Sequence, residues 1–120
     1  MKVDPVALAW AAGILEGEGC FSIFKRVRAS GNEVVTCSIL CEMTDEDVIL
    51  KLKDILGVGN ISHRLNDKRS DNMVRKQSWI LSIQKQKDVF DTLVYVMPHL
   101  GKRRLAKATE IFNQLEGKLV

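Results

Sequence analysis

The chain has 120 residues, of which 46% are hydrophobic and 28% charged, with a formal net charge of +3. That composition, with only 8 Gly and 2 Pro, excludes a disordered or fibrous protein, and the length suffices for one domain with its own hydrophobic core. No repeat, low-complexity run or linker-like segment divides it, so a fold that needs two copies takes the second from another chain.

Asp4-Pro5 is a helix start, because the Asp side chain can cap free amides and proline suits the first helical position. The helix runs to about Glu16 and is apolar on every side, so it needs protein cover on more than one of them. Lys2 followed by the apolar stretch from Val6 to Leu15 resembles a secretory signal. Asp4 and Pro5 interrupt its basic end, however, and Glu-Gly-Glu-Gly stands where small residues would mark a cleavage site. The stretch also falls far short of the ~20 residues that span a bilayer. The expectation is a protein of the cytoplasm or of an organelle interior, neither secreted nor membrane-bound. Cys20, Cys37 and Cys41, an odd number of thiols, agree with a reducing compartment and are expected to be buried small residues. Together with His63 and His99 they do not have the spacing of a zinc motif.

From Cys20 to Arg28 the residues alternate, with Phe21, Ile23 and Val27 on one face and Ser22, Phe24, Arg26 and Arg28 on the other, which predicts a half-buried strand. Ser30-Gly31-Asn32 supplies a turn. Val35 to Met43 alternates again, with Val35, Cys37, Ile39, Cys41 and Met43 inward and Thr36, Ser38, Leu40 and Glu42 outward. Thr44, with Asp47 three positions on, is placed to cap a second helix whose stripe is Val48, Leu52 and Ile55 or Leu56, and Gly57 stops it. Val58 to Leu65 and Val74 to Ile83 form a second hairpin across the polar loop NDKRSDN, with Trp79, Leu81 and Ile83 on the core face. A third helix, about Lys87 to Met97, ends at Pro98, and a fourth, about Lys102 to Leu115, carries Leu105, Ala108, Phe112 and Leu115 at helical spacing. Trp10, Trp79 and His63 are expected in the core. The order is helix, two strands, helix, two strands, helix, helix, an α+β arrangement.

Positive charge is concentrated in residues 20–40, 58–76 and 97–120, whereas 1–19 and 41–57 are net negative. Two features oppose ordinary helix electrostatics. Glu16 and Glu18 stand at the C-terminal end of the first helix, where each negative charge costs ~0.3–1 kcal/mol unless a cation or hydrogen-bond donors answer it. A hard divalent cation does so, since carboxylate and backbone oxygens are what Mg²⁺ prefers. Lys102, Arg103 and Arg104 are the reverse case, three cations at a helix N-terminus. They are favourable where a phosphate sits there, and otherwise form an ordinary solvated basic face. Gly13 and Gly17, four apart on one face, would let another helix approach closely.

Ala11-Ala12-Gly13-Ile14-Leu15-Glu16-Gly17-Glu18-Gly19 resembles the LAGLIDADG motif of homing endonucleases, and the order of elements is similar to the family's single-motif αββαββα subunit. The basic hairpin after the motif, the ILGVGNI helix-to-strand turn and the Pro98-plus-basic segment extend the resemblance over nearly the whole chain. Ala11 in place of leucine and glutamate in place of both aspartates depart from the motif's name. The resemblance implies a homodimer whose first helices meet at a two-fold axis, with Ala9, Ala12, Gly13 and Glu16 at the interface. It implies that Glu18 is the metal ligand that supports cleavage, that Gly17 offers its carbonyl to the same metal, and that Glu16 is structural, accepting backbone hydrogen bonds. A cation held there, Mg²⁺ or Mn²⁺ in its place, would activate a water and stabilise charge developing at a scissile phosphate. The longer glutamate side chain at position 18 alters the metal geometry. The resemblance also implies cleavage of both strands across the minor groove. It places Asp45 where the family has a water-positioning residue, although Asp45 could equally serve as a helix N-terminal charge. Lys102 or Arg103 takes the place of the family's catalytic lysine.

Double-stranded DNA is the partner this implies, and no organic cofactor is called for. If the four strands form one concave sheet, its outward side carries Ser22, Phe24, Arg26, Arg28, Thr36, Ser38, Leu40, Glu42, Asn60, Ser62, Arg64, Lys76, Ser78 and Ile80. Arginines there can pair with guanine, and Phe24, Leu40 and Ile80 can meet thymine methyls. Lys68, Arg69 and Arg75, flanking the loop, would grip phosphates. A polar sheet face open to solvent is the plainer reading, but three large apolar residues on it argue for a partner. The leading expectation is a site-specific double-strand endonuclease acting on a palindromic or near-palindromic site. The alternatives are a non-cleaving DNA- or RNA-binding module of the same fold, such as a maturase or regulator, and a protein-interaction domain.

Overall fold

The computed structural model describes residues 3–65 and 76–119. Asp4 caps the first helix by accepting the Ala7 amide at 3.0 Å, with proline next at the start of α1, Pro5–Glu18. Two strands follow, β1 (Gly19–Val27) and β2 (Glu33–Met43), then α2 (Glu46–Leu56), β3 (Asn60–Arg64), β4 (Ser78–Ile83), α3 (Gln86–Val96), a 3₁₀ turn over Met97–His99 and α4 (Lys102–Leu119). The strands form one antiparallel sheet in the order β1-β2-β4-β3, with Gly19 opposite Cys41, Cys41 opposite Leu81 and Leu81 opposite Ile61. No described helix is long and apolar enough to cross a membrane.

Alternation decides which face of the sheet is buried. Phe21, Val35, Cys37, Ile39, Cys41, Leu81 and Ile83 point into one core together with Ala11, Ala12 and Leu15 of α1, Ile49, Leu52 and Leu56 of α2, Val89, Leu93 and Val96 of α3, and Ala108, Ile111 and Leu115 of α4. All four helices therefore lie on one side of the sheet, and the other side is left for function. The Gln86 side chain closes the exposed rim of β2, accepting the Cys37 amide at 2.9 Å and donating to the Cys37 carbonyl at 2.8 Å, where β4 no longer reaches. Burial pushes the Cys37 thiol above its ordinary pKa and that of Cys41 to about 11, the latter raised further by the nearby Glu18 charge and opposed by Arg104.

Several expectations shift. α1 continues through Glu18, so both acids lie in its last turn. Asp45, not Thr44, occupies the N-cap position of α2, without a side-chain cap bond, and the buried stripe is Ile49, Leu52 and Leu56. Gly57, in the left-handed region at φ 73°, ends that helix as expected. Pro98 does not stop the chain's helical course at once, because the 3₁₀ turn accepts it in a first-turn position where no amide is needed. Val27 is exposed, since the β1–β2 hairpin extends past the helical layer. Cys20 is exposed on the outward side of β1, because it has the strand parity of Ser22 and Phe24. His63 is also exposed: it stacks on half-buried Trp79 at 4.6 Å and bonds Gln77 at 3.1 Å, at the edge of the core and not inside it. Trp10 packs against the core, with the Lys51 ammonium 4.2 Å from its ring centre.

Candidate functional site

The last turn of α1 leaves carbonyl groups without intrahelical donors. Arg104, near the start of α4, answers one of them and the carbonyl of the residue that follows the helix: its Nε donates to the Glu16 carbonyl and its Nη1 to the Gly19 carbonyl. A planar guanidinium can span two acceptors in this way where an ammonium cannot. The same Nε lies 3.6 Å from Glu16 Oε2, and Glu16 Oε1 accepts the Gly101 amide at 3.1 Å. Glu16 is thus held by the segment leading into α4, while Arg104 supplies the cation that the negative end of α1 favours. A side chain at Gly101 would push the Glu16 carboxylate aside, for a Cβ there would lie 2.5 Å from Glu16 Oε1. Gly19 is required, because a Cβ would lie 2.5 Å from the Leu15 backbone carbonyl at the helix-to-strand turn.

Glu18 is different. It is exposed, and among the described residues its carboxylate takes part in no hydrogen bond or ion pair. The Gly17 carbonyl, one of the final four of α1, is not taken by Arg104, which bonds those of Glu16 and Gly19. Lys102 and Arg103 follow Gly101 directly and are brought beside the α1 end by the Gly101–Glu16 bond; both are exposed. Arg103, Arg104, Lys107 and Glu110 line one wall of a groove of about 580 Å³ whose other wall is Gly19, Cys20 and Phe21. Three cations against one carboxylate make this groove electropositive. Asp45 is exposed at the head of α2, four residues beyond Cys41, and no hydrogen bond or ion pair among the described residues ties it to Glu18, Lys102 or Arg103.

The strand register puts the expected outward residues on one surface. Phe24 lies opposite Thr36, Ser22 opposite Ser38, Glu42 opposite Ile80, Ile80 opposite Ser62 and Arg64 opposite Ser78. Arg26 and Asn60 share this side, Arg28 lies just past the end of β1, and exposed Lys76 precedes β4. Lys68, Arg69 and Arg75 lie outside the described residues. Ser78 departs from its expected role. It is 5% exposed and donates its hydroxyl to Glu42 Oε2, so it supports a neighbour and has no surface to offer a ligand. Cys20 and Ser82 belong to the same face, flanking Leu40, and strand parity alone would have added them. Arg104 and Gly101 were missed for another reason: their partners lie 85 or more residues away in sequence.

Along α1 the exposed line is Val6, Ala9, Gly13 and Gly17. Ala12, expected at an interface with a second copy, is wholly buried in the subunit's own core, and Glu16 is engaged by Gly101 and Arg104. A side chain added at Gly13 would meet nothing within 4 Å in its own subunit.

The sequence model of one family, described as LAGLIDADG endonuclease, matches residues 11–97. No curated protein matches the chain. Among solved structures, the homing endonuclease I-CvuI in complex with its target in the presence of Ca is similar, with a TM-score of 0.70 at 21% identity over 92% of this chain. The group I intron-encoded homing endonuclease I-CeuI complexed with DNA has a TM-score of 0.71 at 18% identity over 97% of this chain. The archaeal intron-encoded I-Vdi141I, also complexed with DNA, has a TM-score of 0.69 at 17% identity over 93%. The chain spans 66% of I-CvuI, 56% of I-CeuI and 70% of I-Vdi141I. At these identities the likeness is one of fold.

Proposed function

Because the chain belongs to the LAGLIDADG endonuclease family, we propose that it is a site-specific, divalent-metal-dependent endonuclease of double-stranded DNA that acts as a homodimer. The observation that carries this reading is the contrast between the two acids of the motif: Glu16 is consumed by Gly101 and Arg104, while Glu18 is exposed and, among the described residues, unpartnered. A carboxylate at the negative end of a helix with no donor among the described residues suits a cation.

The donor set fits Mg²⁺, with Mn²⁺ as a substitute. No three His, Cys, Asp or Glu side chains converge among the described residues. Mg²⁺ is commonly held by one or two carboxylates, with waters and substrate phosphates completing its shell. Glu18 and the Gly17 carbonyl are the residues that would hold it. When bound, the metal supplies Lewis-acid stabilisation of charge developing on the phosphate and its leaving oxygen. Arg104 keeps the Gly17–Glu18 turn in place from behind. Lys102 and Arg103 bring positive charge to the phosphate backbone, and Asp45 positions a water. The outward sheet face, with Arg26, Arg28 and Arg64 among Phe24, Leu40 and Ile80, reads the bases.

In the dimer, Ala9, Gly13 and Gly17 of two α1 helices meet, which covers the side of α1 that its own subunit leaves open and brings in a second Glu18 for the other strand. Gly13→Leu tests this: the substitution clashes with nothing in its own subunit, so the circular-dichroism spectrum of the folded chain should hold while sedimentation changes from dimer to monomer. Retention of the dimer would remove the α1 interface.

For the activity, randomised duplexes are selected in Ca²⁺ and then given Mg²⁺, with Glu18→Gln in parallel. The expected result is cleavage of a near-palindromic site by the wild type alone. Specific binding with no cleavage in Mg²⁺ or Mn²⁺ would instead identify a non-cleaving module.

A further inference from the structure

A carboxylate on a surface that meets polyanionic DNA requires an explanation. Among the described residues Glu42 is the single acid on the outward side of the four strands. It is not a free charge. Its Oε2 accepts the hydroxyl of buried Ser78 and lies 3.2 Å from Arg64 Nη1, on the edge strand β3 beyond β4. The register makes this possible, because Ser78 is directly opposite Arg64 while Glu42 is opposite the next outward residue of β4, Ile80. The three side chains therefore bridge β2, β4 and β3. Ser78 is the fixed end: at 5% exposure its hydroxyl holds one carboxylate oxygen in place. Glu42 and Arg64 are each about two-fifths exposed, so the far side of the guanidinium is open to a ligand.

An unsupported surface arginine has rotamer entropy to lose on engaging a base. One already tethered to a fixed carboxylate loses less, and its planar fork is presented in a defined orientation. Only Nη1 is committed to Glu42, leaving other N–H groups of the guanidinium to donate. Two parallel donors in a plane match O6 and N7 of guanine in the major groove.

We propose that Glu42 is a positioning residue for base readout: fixed by Ser78, it orients the Arg64 guanidinium so that the two together select guanine at one base pair of each half-site. This rests on the sheet face being the DNA-binding surface, as proposed above. Arg64 makes the contact, and Glu42 acts through it.

The test is a selection from randomised duplexes in Ca²⁺ with the wild type, Glu42→Gln, Arg64→Met and Arg64→Lys, each checked by thermal melting. Glu42→Gln keeps an acceptor for Ser78 and loses the charge that holds Arg64. The wild type is expected to prefer guanine at one position of each half-site by about tenfold, the scale of one bidentate contact. All three variants are expected to lose that preference at the same position and to keep the others, with melting temperatures little changed. Arg64→Lys keeps the charge without the fork, so its loss of the preference separates geometry from charge. An unchanged guanine preference in Glu42→Gln would overturn the proposal while leaving the DNA-binding reading intact. So would an Arg64→Met that weakens all sequences equally and lowers the salt slope by about 1, the signature of a phosphate contact. A wild type that selects no sequence would overturn both.

Discussion

The C-terminal turn of α1 and the outward face of the sheet meet at Gly19, yet they are secured differently. At the turn, Arg104 and Gly101 reach back from the start of α4 to the Glu16 carbonyl, the Gly19 carbonyl and the Glu16 carboxylate. On the sheet face, beyond the Glu42–Ser78–Arg64 cluster and a 3.6 Å contact of Cys20 with Ser22, the described side chains carry no hydrogen bonds. The turn is therefore part of the fold, whereas the face is carried by it. Side chains on the face can change and alter recognition at little cost to the scaffold that holds Glu18.

The largest expected effect separates the two acids within the turn. Glu18→Gln should lower single-turnover cleavage by about 100-fold or more, the scale of losing an electrostatic stabiliser of a transition state. It should also raise stability slightly, by about 0.5 kcal/mol, because it removes a charge that α1 disfavours. Urea unfolding run beside the cleavage assay would show whether Glu18 is instead a structural residue, in which case stability would fall. Arg104→Met should destabilise by about 3 kcal/mol in the same unfolding experiment, since two carbonyls and the Glu16 carboxylate lose their donor together. A loss below about 1 kcal/mol would place the turn with the tolerant surface.

Cys41, buried opposite Gly19, gives the turn a pH dependence. Its folded pKa of about 11 lies above the ordinary thiol value of 9.0. The unfolded chain therefore releases this proton first, and the stability contributed by the neutral thiol is complete below about pH 9 and declines as pH rises toward about 11. The loss should reach about 2 kcal/mol by pH 11 and be smaller in Cys41→Ala, as read by melting temperature against pH. The smallest effect belongs to the face. Phe24→Ser and Arg26→Ala should change stability by less than about 0.5 kcal/mol. Their loss of DNA affinity, measured by titration at fixed salt, should be much larger in proportion.

Much of this arrangement was legible from local pattern. Asp4-Pro5, the alternation of Phe21 to Ile23 and of Val35 to Met43, and Gly57 as a helix stop depend on contacts within a few residues, and the structure follows them. The motif at residues 11–19, joined to the basic hairpin, the ILGVGNI turn and the Pro98-plus-basic segment, was enough to place the chain in its family. Errors arose where a residue's surroundings come from elsewhere in the chain. His63 has the inward parity of a core residue, but β3 is an edge strand, so its ring reaches only the flank of Trp79. Ala12 was expected to face a second copy, but α1 turns that side to its own core.

The sequence by itself determined the order of the elements, the buried side of each strand and the presence of two acids and three cations at opposed helix ends, because period, turn chemistry and charge are local properties. Only the tertiary structure decided how those charges are divided. It gave Glu16 and Arg104 to each other and left Glu18, Lys102 and Arg103 exposed. It also tied Glu42 to Arg64 through Ser78 across three strands. A charge's role depends on which partner folding brings within about 4 Å of it, and such proximity is fixed by strand register and helix docking, not by spacing along the chain.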